Sequence, residues 1–158
     1  MKAILVNDDR SLSWSSVPDP ILKSDEVLVK IEYAALNRAD LMQRESDYPP
    51  PPDCPEWMGL EISGEIVEIA DEAKEKSNWE IGDKVCALLG GGGYAEYVSV
   101  KYDMLMPVPE NCTMAEAAAI PEAFATAYLN LFWEGNIQSG NTLMLTAGAS
   151  GLARVVIP

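Results

Sequence analysis

Histidine is absent from the 158 residues, and that gap removes much of ordinary enzyme chemistry. Ser-His-Asp and Cys-His nucleophilic pairs, imidazole metal ligands and the commonest general base all need it. Cysteine is scarce. Cys54, Cys86 and Cys112 stand far apart with no Cys-x-x-Cys pair, which argues against a disulfide framework or a zinc knuckle and makes a reducing cytoplasm the expected setting. Basic residues are few as well: 11 Lys and Arg face 25 Asp and Glu, for a formal net charge of −14. A field of that sign repels nucleic acid and anionic lipid, so neither is an expected partner. The bland reading of the excess acid is a solvated surface. No apolar run reaches the roughly 18 residues of a membrane-spanning helix. The opening MKAILVNDDR reads as a first strand rather than a signal peptide. Chemistry in this chain must therefore come from a cofactor or from carboxylates, tyrosine or lysine, with no metal expected.

What is present reads as a globular chain, with 48% apolar and 23% charged residues. The length suits one domain with a real core, or one domain and part of a second. Residues 2–6 and 11–17 read as short strands. Residues 26–33 alternate, with Val27, Val29, Ile31 and Tyr33 on one face, as do residues 61–69 around Gly64. A glycine inside a strand predicts a bulge or a sharp bend. Residues 71–78 (DEAKEKSN) read as a charged loop without apolar periodicity. Residues 84–89, 94–100 and 104–108 complete a set of short strands divided by turn residues, which predicts an all-β barrel or sandwich up to about residue 110. The glycines at 90–93 are either a flexible hairpin or a place where another backbone or a ligand approaches closely.

The stretch 34–64 organises the rest. It opens polar with Asn37, Arg38 and Asp40, runs through Leu41 and Met42 to Tyr48 and the prolines 49–52, and closes on Trp57, Gly59 and Glu61. A proline run cannot lie inside a sheet or helix. Such a connection is either the wall of a site or a surface loop stiffened by proline.

At Thr113 the period changes. Thr113 and Glu116 form a capping box. Pro121 breaks or restarts the helix, which continues over residues 122–133 with Phe124, Ala127, Tyr128, Leu131 and Phe132 on one face, and Gly135 ends it. Residues 142–146 (TLMLT) then predict a buried strand running into a small-residue turn at 147–153. A strand, a glycine turn and a helix start open a dinucleotide-binding unit. The acidic ribose residue expected about 20 positions further on would fall beyond Pro158.

Several motifs together resemble the medium-chain dehydrogenase/reductase superfamily in its zinc-free quinone oxidoreductase branch. They are NRADLMQR (37–44), YPPPP (48–52), GLEISGEIVEI (59–69), IGDKVCALLGGGGYAEYVSV (81–100), EAAAIPEAFATAY (116–128) and LTAGASGLA (145–153). The resemblance implies a mainly β fold. A GroES-like barrel would span residues 1–120, with a linking helix and the first strand-turn-helix of a Rossmann α/β domain over residues 121–158. Zinc-dependent relatives carry Cys and His where this chain has Asn37 and Leu60, so the resemblance also implies no metal. It implies hydride transfer from NADPH to a quinone or activated enone, with a small-molecule substrate and a possible homodimer. By matching position, Asn37, Asp40 and Tyr48 would line the substrate and nicotinamide cleft as its catalytic residues. Tyr48, Thr126, Gly148, Ser150 and Gly151 would contact the cofactor.

Read without the resemblance, each residue has an ordinary alternative. Asn37 and Asp40 satisfy loop backbone groups, Tyr48 packs before the prolines, Thr126 bonds back to the preceding helical turn, and the glycines only turn the chain. Members of the family are about twice this length. That implies a second function class: a truncated, non-catalytic GroES-like domain unable to bind cofactor alone. On that view residues 143–157 are expected either to be poorly ordered or to support an oligomer contact.

Overall fold

The structure, a computed structural model, describes residues 1–157. Pro158, the last residue of the expected second domain, lies outside the described residues. Alternation of apolar residues produces a mainly β fold in two antiparallel sheets. The strands are β1 (Lys2–Val6), β2 (Leu12–Ser16), β3 (Glu26–Ala34), β4 (Glu61–Ile69), β5 (Lys84–Leu88), β6 (Tyr97–Lys101) and β7 (Leu105–Pro107). β1 and β2 form a hairpin, and the other five make one sheet in the order β6-β3-β4-β5-β7. The hairpin joins the segment before β6: the Ile4 amide donates to the Tyr94 carbonyl at 2.8 Å, and the Glu96 amide donates to that of Lys2 at 3.0 Å.

The inward faces of the larger sheet make the core from Val27, Val29, Ile62, Ile66, Val85 and Val98. Burying each such side chain contributes about 1.5–3 kcal/mol. Gly64 explains a local irregularity. A Cβ there would stand 2.2 Å from the Lys30 carbonyl oxygen and 2.7 Å from Val29 Cγ1. The β3–β4 register slips on either side of this point, between Leu28 and Val29 and between Ile31 and Tyr33. The expected bulge is there.

The glycine run resolves in favour of close approach. A Cβ on Gly90 would meet Cys54 Sγ at 2.5 Å, and one on Gly93 would meet the Gly59 carbonyl oxygen at 2.9 Å. Backbone bonds lock the two segments together, from the Gly92 amide to Trp57 O, Gly93 to Gly59 O and Tyr94 to Met58 O, at 2.8, 3.0 and 2.9 Å. The proline loop is thus clamped against the glycines.

Three local expectations change. Residues 71–78 contain a helix, α2 (Asp71–Lys76), following α1 (Arg38–Arg44) in chain order. It is too short to show periodicity; its single anchor is fully buried Ala73, and Lys76 pairs with Glu72 across one turn. Thr113 and Glu116 do cap α3 (Met114–Ala117), and Pro121 starts α4 (Pro121–Tyr128), but the backbone then widens into a π-helical turn at Leu129–Glu134. The face expected to be buried is largely open, with Phe124, Tyr128 and Phe132 about half exposed and only Ala127 buried. Finally, residues 142–146 form no strand. Among the described residues nothing pairs with them, and a strand needs a neighbour to satisfy its amides and carbonyls. The last helix, α5 (Gly151–Val156), packs against α4 through Ala153. No helix among the described residues is long and apolar enough to cross a membrane.

Candidate functional site

The polar end of the 34–64 stretch becomes the N-terminus of α1. Asn37 takes an extended backbone, as a helix cap does, and its amide donates to Asp40 Oδ2 at 2.6 Å. Leu41 and Met42 point largely outward, whereas Asp40 is buried, 5% exposed. Its partners account for that. The Tyr94 hydroxyl, held by the clamped glycine segment, donates to the same Oδ2 at 2.8 Å. Burial and the Asp40 carboxylate push the Tyr94 phenol upward, so its proton stays on oxygen and bound to Asp40. Asp40 Oδ1 is buried and has no protein partner among the described residues. A buried acceptor left open in this way suits a bridging water or a ligand hydroxyl.

Asn37, Asp40 and Tyr94 line a cavity of about 370 Å³ whose other walls include Leu36, Leu41 and Met58. An apolar cavity with a few converging polar groups is the usual form of a small-molecule site.

Behind this wall lies Glu61, which the sequence marks only as a closing residue of the 34–64 stretch. It is 2% exposed. It accepts from Asn37 Nδ2 at 2.8 Å through Oε1 and from the Glu122 amide at 2.9 Å through Oε2. Burial holds its carboxyl above the ordinary range; the two hydrogen bonds pull the other way, and the nearby Asp40 adds to the rise. The Glu122 side chain is pushed the same way, by burial and then by Glu61 and Asp40.

The other expected residues lie elsewhere. Thr126 stands on α4 one turn past Glu122 and lines a separate cavity of about 330 Å³ with Leu88, Ala125, Tyr128, Leu129 and Trp133. Tyr48 is 46% exposed in the loop after α1 and lines neither cavity. Ser150 caps α5, its hydroxyl oxygen accepting from the Ala153 amide at 3.2 Å. A Cβ on Gly148 or Gly151 would meet nothing within 4 Å. The structure therefore joins Asn37 to Asp40 and links both to α4 through Glu61, while Tyr48 and the glycine turn stand apart.

The profile of the family described as "Alcohol dehydrogenase GroES-like domain" matches residues 23–110, which hold β3 to β7, the clamped loop and this polar cluster. The chain belongs to that family. Among relatives of this GroES-like chain, the mouse "Synaptic vesicle membrane protein VAT-1 homolog-like" is 31% identical over 145 residues, covering 92% of the chain and 34% of the relative. The tomato "2-methylene-furan-3-one reductase" is 34% identical over 153 residues, covering 90% of the chain and 38% of the relative. Among solved structures, a quinone oxidoreductase from Thermus thermophilus, determined also in complex with NADPH, superposes with a TM-score of 0.76 at 29% identity. That match covers 98% of this chain and 48% of the other. The GroES-like chain thus spans about a third of these curated relatives and about half of the solved neighbour.

Proposed function

We propose that this chain supplies the substrate side of an NADPH-dependent oxidoreductase of the quinone reductase type, one that passes a hydride to a quinone or an activated enone. The observation that carries the reading is the Asn37–Asp40–Tyr94 cluster at the wall of a largely apolar cavity, in a chain without histidine. The names of the relatives support the reaction class.

The residues around α5 fit NADPH. Gly148 and Gly151 leave open space where a side chain would stand, as close approach of a pyrophosphate to backbone requires. The first amides of α5 have no acceptor within their own helix. Gly148, Ser150 and Gly151 would hold the pyrophosphate end, with Thr126 on the nicotinamide side. When bound, NADPH supplies the hydride. Leu36, Leu41 and Met58 offer an apolar wall, and Asn37 and Asp40 orient a flat conjugated ring by its polar groups. Asp40 Oδ1 can accept from a hydroxyl once a carbonyl has been reduced. Tyr48, exposed in its loop, would close over a bound ring only by moving. A cytoplasmic setting, a small-molecule partner and a homodimer belong to the same proposal.

One observation favours the second reading, a GroES-like domain that does not hold the cofactor by itself. Phe124, Tyr128, Phe132, Trp133 and Met144 are all at least half exposed, and residues 142–146 are unpaired among the described residues. Titrating the folded chain with NADPH, followed through its four tryptophans, separates the two. Saturation at micromolar concentration, followed by turnover of a simple quinone, supports the enzyme. A folded chain that fails to bind at millimolar NADPH refutes it.

A further inference from the structure

Glu61 is harder to explain than any other polar residue in the chain. It is 2% exposed, and among the described residues it forms no ion pair. The titratable groups facing it are Asp40 from α1, Glu122 from α4, Cys86 from β5 and Tyr94 from the glycine segment. None of these is a cation. Burying a carboxylate among acids is costly, and an apolar residue of similar size would avoid that cost.

We propose that Glu61 is a positioning residue: as an acceptor-only carboxylate between α1 and α4, it fixes which edge of the Asn37 carboxamide faces inward and ties the cavity wall to the helix that carries Thr126. Three observations carry this. An ionised carboxylate has no hydrogen to donate, so a carboxamide bonded to it must present nitrogen and not oxygen. Asn37 Nδ2 is the atom at Oε1, 2.8 Å away. The second oxygen is taken by the amide of Glu122, at the first turn of α4, where an amide has no acceptor in its own helix.

The elements joined are far apart in sequence, with Asn37 24 residues and Glu122 61 residues from Glu61. One side chain therefore sets both the polar edge offered to a ligand in the first cavity and the seating of the helix that lines the second. The inference rests on the proposed reading where it names the cavity as a substrate site, but its geometry can be tested without a cofactor.

The test is NMR of the isotopically labelled chain. The Asn37 side-chain amide pair is expected to be widely split and to move with pH in one step shared with the Glu61 carboxyl signal. In Glu61→Gln that step disappears. If Asn37 turns its oxygen inward the new carboxamide keeps both bonds, so the acceptor role is read in Glu61→Met, where both acceptors are lost and exchange of the Glu122 amide speeds up by about tenfold or more. Combining Asn37→Asp with Glu61→Gln exchanges carboxylate and carboxamide and restores a donor for each acceptor. Protection of the Glu122 amide is then expected to return to within about threefold of the parent. Should Glu61→Gln fail to fold, Asn37→Ala serves in its place, and Glu61 is expected to titrate at higher pH once that donor is lost.

A pH-insensitive Asn37 pair, a double variant no better protected than Glu61→Met, or an unmoved Glu61 titration in Asn37→Ala would each overturn the assignment. An intact Asn37–Glu61 titration in a chain that binds no NADPH would refute the proposed function and leave the positioning role standing.

Discussion

Replacing Gly64 with alanine tests the packing argument at its tightest point. The added methyl would lie 2.2 Å from the Lys30 carbonyl oxygen, 3.0 Å from the Lys30 carbonyl carbon and 2.7 Å from Val29 Cγ1. A side chain can rotate away, but a backbone carbonyl in the middle of a five-stranded sheet cannot. Overpacking a tight core costs about 1–3 kcal/mol when side chains can adjust. Here the obstacle is backbone, so the expected loss is about 3 kcal/mol or more. For a chain of this size that corresponds to a fall of roughly 6–12 °C in melting temperature. Gly148→Ala is the matched control, since a methyl there meets nothing within 4 Å. Urea unfolding of both variants, followed by tryptophan emission and by circular dichroism, gives the two free energies directly. If the two differ by less than about 0.5 kcal/mol, close approach of β3 is not the reason glycine stands at position 64.

Four further outcomes are expected. Tyr94→Phe removes a donor from a buried carboxylate and should destabilise by about 1–3 kcal/mol; an unchanged urea midpoint would show that water replaces the hydroxyl. Glu61 and Glu122 have carboxyls raised by burial above their unfolded value. Each therefore contributes stability that is present when protonated and lost as pH rises through the raised value. Melting temperature should fall as pH rises above the ordinary carboxylate range, with a smaller slope in Glu122→Gln; equal slopes would dismiss the effect. Thr113→Ala deletes one half of a capping box and should cost about 1 kcal/mol, read from the same unfolding curves. Gly148→Ala should leave stability unchanged yet weaken NADPH binding, and equal affinity would place the pyrophosphate elsewhere.

How much was legible in the sequence follows from the range of each interaction. Strands β3 and β4 could be read because burial of one face imposes a period of two, and the bulge at Gly64 because only glycine tolerates a crossing carbonyl. The capping box at Thr113 was equally plain, being a bond between near neighbours. α2 was not, because one buried alanine leaves no pattern. The strand expected at 142–146 failed for a different reason: its residue types suit a sheet, but pairing depends on neighbours that local composition cannot reveal. At the site, Asn37 and Asp40 were picked out together and are joined by a hydrogen bond. Tyr94 and Glu61 were missed because their partners lie 54 and 24 residues away. Such contacts exist only once the sheet has formed.

Tyr94 has a consequence for how this molecule can be watched. Its carbonyl accepts from the Ile4 amide, and Ile4 stands opposite Trp14 in the β1–β2 ladder. The backbone of Trp14 therefore stands two pairings from that of Tyr94, whose hydroxyl grips Asp40. Trp133, by contrast, lines the cavity beside Thr126. With Trp57 and Trp79 exchanged for phenylalanine, silencing either remaining indole in the same way would split the emission into two channels. One would report on events at the polar cluster and the other on events along the helix, within a single unlabelled chain.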